Sequence, residues 1–184
     1  MTSYPRVIQE VLEGMFPDSV WDDSAEATAN RILRFWKEFV PDEKVPFSFT
    51  TFDAGDYGGQ MIIVKDIEFS SLCAHHLLPF IGTAYVGYIP HLRMVGLSKI
   101  PRLVHHYAKG PQTQERMTHQ IASHLKNATE AKGVAVVIEA KHTCMACRGV
   151  RQHNGAMVTS EMRGVFLTSP APRAEFFAAT NIGG

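Results

Sequence analysis

The chain has 184 residues, a length that suits one domain with flanking segments. Its 18 basic and 18 acidic side chains cancel, so no overall charge predicts binding to nucleic acid or to an anionic membrane. No apolar run approaches the roughly 20 residues that span a bilayer, and the N-terminus lacks the pattern of a signal peptide. The sequence therefore predicts a cytoplasmic protein without nucleic-acid or membrane partners.

The N-terminal part of the chain predicts two amphipathic helices. Apolar residues recur at helical spacing in both, and Ser24 can cap the second helix. Pro41 and Pro46 end this helical section, because proline disrupts a continuing helix. We expect an N-terminal helical segment, residues 1–45, followed by one domain, residues 46–184.

Two strands, two helices and two further strands are predicted to follow. The strands are "QMIIVKDIEFSS", "FIGTAYVGYIP", "VAVVIEAKHTC" and "AMVTSEMRGVF". The helices begin after Ser98 and Pro111, Gly133 ends the second, and the tail "APRAEFFAATNIGG" predicts a fraying helix. A few helices cover only one face of a four-stranded sheet well, so this α+β order favours self-association.

Cysteines and histidines form two groups. In "LCAHHLLPF", Cys73 and His76 can bind one zinc ion if the segment is a turn, because residues three apart in a straight strand point to opposite faces. Taken alone, the segment is equally well interpreted as a buried thiol with hydrogen-bonded histidines. The stretch "KHTCMAC" adds His142, Cys144 and Cys147, which favours a metal over a disulfide framework.

Two metal sites are compatible with these residues. A closed structural site uses four ligands, namely Cys73, His76, Cys144 and Cys147. A catalytic site uses three of them and leaves the fourth position to water. The spacing of the residues leaves both sites open.

Four stretches, in this order, resemble GTP cyclohydrolase I: "CAHHLLPFIGTAYVGYIP", "VGLSKIPRLVHHYAKGPQTQERMTHQIA", "GVAVVIEAKHTCMACRGV" and "VTSEMRGVF". The resemblance covers roughly residues 61–168. It implies a zinc enzyme that converts GTP and water to 7,8-dihydroneopterin triphosphate and formate. It also implies the tunnelling fold, in which N-terminal helices precede a ββααββ unit with a four-stranded antiparallel sheet. Subunits of that fold join into barrel rings, here a homodecamer of two pentamers.

The resemblance also assigns the site residues. It implies that Cys73, His76 and Cys144 bind Zn²⁺, which leaves an open position for water. His75 and His142 become the catalytic histidines. A zinc-activated water then attacks C8 of the guanine while an imidazole passes protons to N7 and the ribose oxygen, followed by ring opening and recyclisation.

Substrate contacts follow from the same resemblance. Gln114 and Glu115 match residues that hold the guanine edge, where a carboxylate selects guanine over adenine. The triphosphate site matches Ser98, Lys99, Arg102 and Arg148, and Arg31 matches an arginine that a neighbouring subunit contributes. Without the resemblance, Glu115 is an ordinary first-turn acid and the cations near Ser98 are a solvated helix face.

The sequence departs from the family at Ala74, where glutamate is common, and at Cys147, where a non-ligand is usual. Two rival functions therefore stay open. One is a ring-forming guanine-nucleotide binding protein whose zinc Cys147 closes. The other is a related tunnelling-fold nitrile reductase that acts on a deazaguanine. Neither the pathway that uses the product (folate, biopterin or deazaguanine) nor a preference for GTP over dGTP follows from the sequence.

Overall fold

The computed structural model describes residues 3–41 and 47–182. The chain divides into two compact units, Met1–Val40 and Pro41–Gly184. The boundary predicted between residues 45 and 46 lies outside the described residues.

The first unit is a pair of packed helices, α1 (Tyr4–Met15) and α2 (Ala25–Glu38). Ser24 caps α2 as predicted, since its Oγ accepts a hydrogen bond of 3.0 Å from the Ala27 amide. A single-turn 3₁₀-helix, Asp18–Val20, lies between the two helices.

The second unit is built on a five-stranded sheet. The elements in chain order are β1 (Thr51–Asp53), β2 (Ile62–Cys73), β3 (Pro79–Ile89), β4 (Arg93–Val95), α3 (Lys99–Ala108), β5 (Pro111–Gln112), α4 (Gln114–Thr129), β6 (Gly133–His142), α5 (Thr143–Ala146), β7 (Met157–Gly164), α6 (Val165–Thr168) and α7 (Pro170–Thr180). The strand order of the sheet is β5-β2-β3-β6-β7. The four long strands pair antiparallel and confirm the predicted ββααββ order. The short β5 adds a parallel pairing with the end of β2, and β1 with β4 forms a separate ribbon that the sequence did not predict.

Apolar cores lie on both faces of the sheet. Helices α3 and α4 cover one face, where Phe80, Leu103 and Ile121 are fully buried. On the other face, Phe166 and Phe176 pack beside Ala135 and Val137. The prediction of a fraying C-terminal helix is therefore wrong, because Phe176 anchors α7 in a core.

Two predicted element ends also differ from the structure. Helix α4 ends at Thr129 and its C-cap is Glu130 in the left-handed region at φ 52°, whereas Gly133 begins β6. Strand β6 ends at His142, and Cys144 lies in the one-turn helix α5 instead of continuing the strand.

Within residues 3–41 and 47–182, helices long and apolar enough to cross a bilayer are absent.

Candidate metal and active site

A tight turn joins β2 to β3 and folds His76 back onto Cys73. The amide groups of His76 and Leu77 donate hydrogen bonds of 3.3 and 2.8 Å to the Cys73 carbonyl. Leu77 adopts a left-handed conformation, φ 53°, which reverses the chain direction. The histidine Nδ1 thereby comes to 3.8 Å from the Cys73 Sγ, which confirms the turn that the Cys-x-x-His spacing predicted.

Helix α5 brings Cys144 to the same place. Because β6 lies beside β3, its end at His142 is level with the start of β3. The Thr143 hydroxyl fixes the following turn by donating a hydrogen bond of 2.6 Å to the Pro79 carbonyl. The ligand atoms of Cys73, His76 and Cys144 then lie within 4.8 Å of one another.

This donor set fits zinc. Two thiol sulfurs and one imidazole nitrogen are ligands that zinc binds in tetrahedral sites, and three of them leave one position for another molecule. Burial raises the pKa of the Cys144 thiol, and the neighbouring Cys73 raises it further. A divalent cation between the sulfurs would favour both thiolates and reverse this effect.

Cys147 stands apart from the group of three. It is exposed at the C-terminal end of α5, where its amide donates a hydrogen bond of 2.8 Å to the Thr143 carbonyl. In the part of the chain that the structure describes, the candidate metal group contains Cys73, His76 and Cys144 only.

His142 lies beside this group in a defined orientation. Its ring stacks on Phe80, with centroids 4.5 Å apart and planes at 3°. Its Nε2 lies 2.9 Å from the Gln114 Oε1. Burial holds the pKa of His142 below the ordinary histidine value, and the Glu115 carboxylate opposes this shift.

His75, the other histidine assigned to catalysis, lies on the turn itself. Its side chain is exposed, its Nδ1 is 3.9 Å from the Cys73 Sγ, and its ring centroid is 6.3 Å from that of His76. The structure therefore brings His75 to the cysteine cluster, and it places His142 at the end of β6, two residues before Cys144.

The residues assigned to guanine differ sharply in their surroundings. Glu115 is exposed in the first turn of α4, near enough to influence the pKa of His142. Gln114 is only 1% exposed, and its side-chain amide forms hydrogen bonds with the Ile138 carbonyl and with His142. It shares a helical stripe with Met117, Ile121 and Leu125, and this spacing is the sequence signal that could have predicted its burial.

The cations assigned to the triphosphate lie at several places. Ser98, Lys99 and Arg102 occupy the start of α3, where the Lys99 ammonium donates a hydrogen bond of 3.5 Å to the Ser48 carbonyl. Arg148 follows α5, and its charge lowers the pKa of Cys144 against the larger effect of burial. Arg31 belongs to the helical pair, where it donates a hydrogen bond of 2.8 Å to the Asp23 carboxylate.

Supporting residues outside the sequence assignments hold the site together. Phe80 orients His142, and the Gln112 carbonyl accepts a hydrogen bond of 2.9 Å from the Ala74 amide in the turn between β2 and β3. The Gln112 side chain in turn donates to the Tyr107 carbonyl at 3.0 Å and to Gln120 at 2.8 Å. These contacts depend on strand pairing across distant parts of the chain, which the local sequence does not reveal.

The chain is similar in sequence to the proteins of one family. The family model described as GTP cyclohydrolase I matches residues 6–181. The GTP cyclohydrolase 1 of Hydrogenobaculum sp. strain Y04AAS1 is 44% identical over 170 residues, which are 92% of this chain and 92% of that protein. The GTP cyclohydrolase 1 of Campylobacter jejuni strain 81-176 is 54% identical over 122 residues, 66% of this chain and 64% of that protein. Among solved structures, the apo form of an archaeosine synthase QueF-Like aligns with TM-score 0.48 and 14% identity, covering 56% of this chain and 93% of that one.

Proposed function

Because the chain belongs to the GTP cyclohydrolase I family, we propose that Cys73, His76 and Cys144 bind one zinc ion at the centre of its active site. The chain is an enzyme with the tunnelling fold that converts GTP and water to 7,8-dihydroneopterin triphosphate and formate. The observation that carries the zinc proposal is the convergence of three donor atoms within 4.8 Å beside two histidines.

Zinc bound at these residues supplies a Lewis acid that activates water near neutral pH for attack at guanine C8. His142 and His75 are the proton carriers in this proposal. Burial lowers the pKa of His142, which favours the neutral ring that can accept a proton. His75 is exposed on the turn and can exchange protons with the purine N7 or the ribose oxygen.

Glu115 selects the base in this proposal. Its exposed carboxylate can accept hydrogen bonds from the N1–H and exocyclic amine of guanine, two donors that adenine does not present in the same arrangement. Ser98, Lys99, Arg102 and Arg148 bind the triphosphate. Ser98 precedes the first turn of α3 without capping it, so its hydroxyl can donate to a phosphate oxygen, and the three cations offset the charge of the anion.

We also propose a homodecamer of two pentamers, in which Arg31 reaches the site of a neighbouring subunit. Both edges of the sheet support self-association, because β7 ends the strand order and, among the residues that the structure describes, β5 pairs only with Leu72 and Cys73 of β2. A mass about ten times 20.5 kDa by light scattering is expected, and a monomer at micromolar concentration would contradict the proposal. A cytoplasmic location stays a prediction.

One assay tests the function directly. The purified zinc-loaded protein is incubated with GTP, the mixture is oxidised, and a fluorescent pterin and formate are measured. We expect both products in equal amounts. A protein that binds GTP and zinc without releasing formate is instead the guanine-nucleotide binding protein with a closed site.

A further inference from the structure

The Gln114 side chain connects α4 to both strands behind the active site. Its Nε2 lies 2.9 Å from the Ile138 carbonyl, 2.9 Å from the Met157 carbonyl and 3.1 Å from the Thr159 hydroxyl. Its Oε1 lies 2.9 Å from Nε2 of His142. With 1% exposure, this amide exchanges hydrogen bonds with the protein and is withdrawn from the surface where a substrate binds.

The partners fix which way the amide faces. Backbone carbonyls only accept hydrogen bonds, so the two carbonyls of Ile138 and Met157 require the NH₂ group on their side. The Thr118 hydroxyl donates a hydrogen bond of 2.7 Å to the backbone carbonyl of Gln114, which uses its one proton. Thr159 therefore donates to the Thr118 oxygen, 2.7 Å away, and the Thr159 oxygen is free to accept from the Gln114 side-chain amide. A flipped amide would set its oxygen against two other carbonyl oxygens.

The orientation of Gln114 determines the tautomer of His142. The Gln114 Oε1 can only accept, so the proton lies on Nε2 of His142. In the neutral ring, Nδ1 then carries the lone pair. Stacking on Phe80 fixes the plane of the same ring, so the stack and the hydrogen bond to Gln114 together define its orientation.

We propose that Gln114 is a positioning residue that holds His142 in the Nε2–H tautomer, and that it does not contact guanine. The proposal rests on the proposed function for the role of His142 as a proton acceptor. It assigns different roles to two consecutive residues. Glu115 is exposed to solvent and recognises the base, while Gln114 is buried and fixes the tautomer of His142.

Gln114→Met tests this division of roles, because methionine keeps the length of the side chain and removes its hydrogen bonds. We expect kcat to fall about 10- to 100-fold, the range typical of lost supporting contacts. We expect KM for GTP, and GTP binding to zinc-free protein by calorimetry, to stay within about threefold. Thr118→Val is the matched control: it removes a hydroxyl from the same network one turn further along α4 and leaves the contact to His142, so kcat should stay near that of the unaltered protein.

A double-mutant cycle asks whether Gln114 acts through His142. In the His142→Ala background, Gln114→Met should cause no further loss of turnover, because the group that it positions is gone. A rise in KM or a loss of GTP binding in Gln114→Met, or equal losses in both backgrounds, would overturn the proposal in favour of a guanine contact or a general structural role.

The tautomer itself can be measured without any variant of Gln114. Solid-state ¹⁵N NMR of the protein labelled at the ring nitrogens of its nine histidines gives the protonation of each nitrogen, and the His142 signals are those absent from His142→Ala. Above the pKa of the ring we expect a protonated Nε2 and an unprotonated Nδ1. The opposite tautomer refutes the inference even if the protein hydrolyses GTP, whereas a protein inactive on GTP with the expected tautomer refutes only the proposed function.

Discussion

The three cysteines have different surroundings although two of them are only three residues apart. Cys73 is buried at the end of β2, Cys144 is half-buried in α5, and Cys147 is exposed. Metal binding needs thiolates that converge on one point, and only the first two meet that condition among the described residues. The alternative with four protein ligands therefore lacks the geometric support that the three-ligand site has.

Replacing single cysteines distinguishes these roles. Cys73→Ser should reduce zinc from about one ion per chain to a small fraction, because a serine hydroxyl stays protonated near neutral pH and is a poor zinc ligand. Cys147→Ser is the matched control and should keep both zinc and turnover. Elemental analysis after dialysis measures the metal content. Undiminished zinc in Cys73→Ser, or loss of zinc in Cys147→Ser, would contradict the assignment.

The exposed carboxylate of Glu115 is expected to hold the guanine base. Glu115→Ala should weaken GTP binding by about 1 to 3 kcal/mol, because two donors on the guanine edge lose their acceptor. Zinc content and fold should not change, since the side chain is exposed. Calorimetry with GTP measures the loss, and Glu175→Ala, an exposed acid on α7, controls for the change in net charge. Unchanged binding in Glu115→Ala would show that the base is held elsewhere.

The buried side chain of Phe176 attaches α7 to the sheet. A side chain at Gly87 would meet the Phe176 ring, with its Cβ only 2.7 Å from the ring carbon Cδ2, so the glycine leaves the space that the ring fills. Phe176→Ala should therefore lower the free energy of unfolding by about 3 to 5 kcal/mol, as large cavities do. Denaturant unfolding at fixed protein concentration measures it. Leu167→Ala, at a position 61% exposed, should change stability little, and equal effects of the two variants would refute the anchoring role.

The aromatic rings around His124 predict a pH effect on stability. The His124 Nδ1 lies at hydrogen-bond distance, 2.9 Å, from the Tyr107 hydroxyl, and its ring contacts Phe47 and Phe49 edge-on. Burial lowers the pKa of His124, and the nearby His106, whose pKa burial also lowers, adds to this shift.

As the pH falls, His124 in the unfolded chain, with an ordinary pKa of about 6.5, therefore binds its proton at a higher pH than His124 in the folded chain does. Stability should be full above that pH and fall as the pH drops below it toward the lowered folded value. Unfolding free energies of the unaltered protein and of His124→Gln, measured across pH 5 to 8, isolate this contribution from that of the other histidines. Parallel curves for the two proteins would contradict the prediction.

The sequence predicted the elements whose signals are local. The Cys-x-x-His spacing required a turn, and Ser24 before an apolar helical stripe required a cap, and both are present. The end of β6 at His142 was not predicted, because the turn that follows depends on a hydrogen bond from Thr143 to the distant Pro79. The burial of Gln114 was missed although its helical stripe indicated it, since the resemblance assigned the residue to guanine.

Replacing Arg31 tests how the subunits assemble. Arg31 lies in the helical unit Met1–Val40, whereas the candidate metal group lies in the unit Pro41–Gly184. Its exposed ion pair with Asp23 is of the kind that contributes little to stability, so Arg31→Ala should fold normally. If each site takes this arginine from a neighbouring chain, the variant should assemble fully and lose turnover.

Mixing two inactive variants decides the question. Arg31→Ala chains keep His142, and His142→Ala chains keep Arg31. In rings reassembled from equal amounts of both, roughly one site in four combines an intact His142 with an intact arginine from its neighbour, so turnover should recover to about a quarter of the unaltered value. If each chain supplied its own arginine, no mixed site would be complete and the mixture would stay as inactive as its parts. Turnover before and after subunit exchange, with the oligomer mass followed by light scattering, measures the outcome.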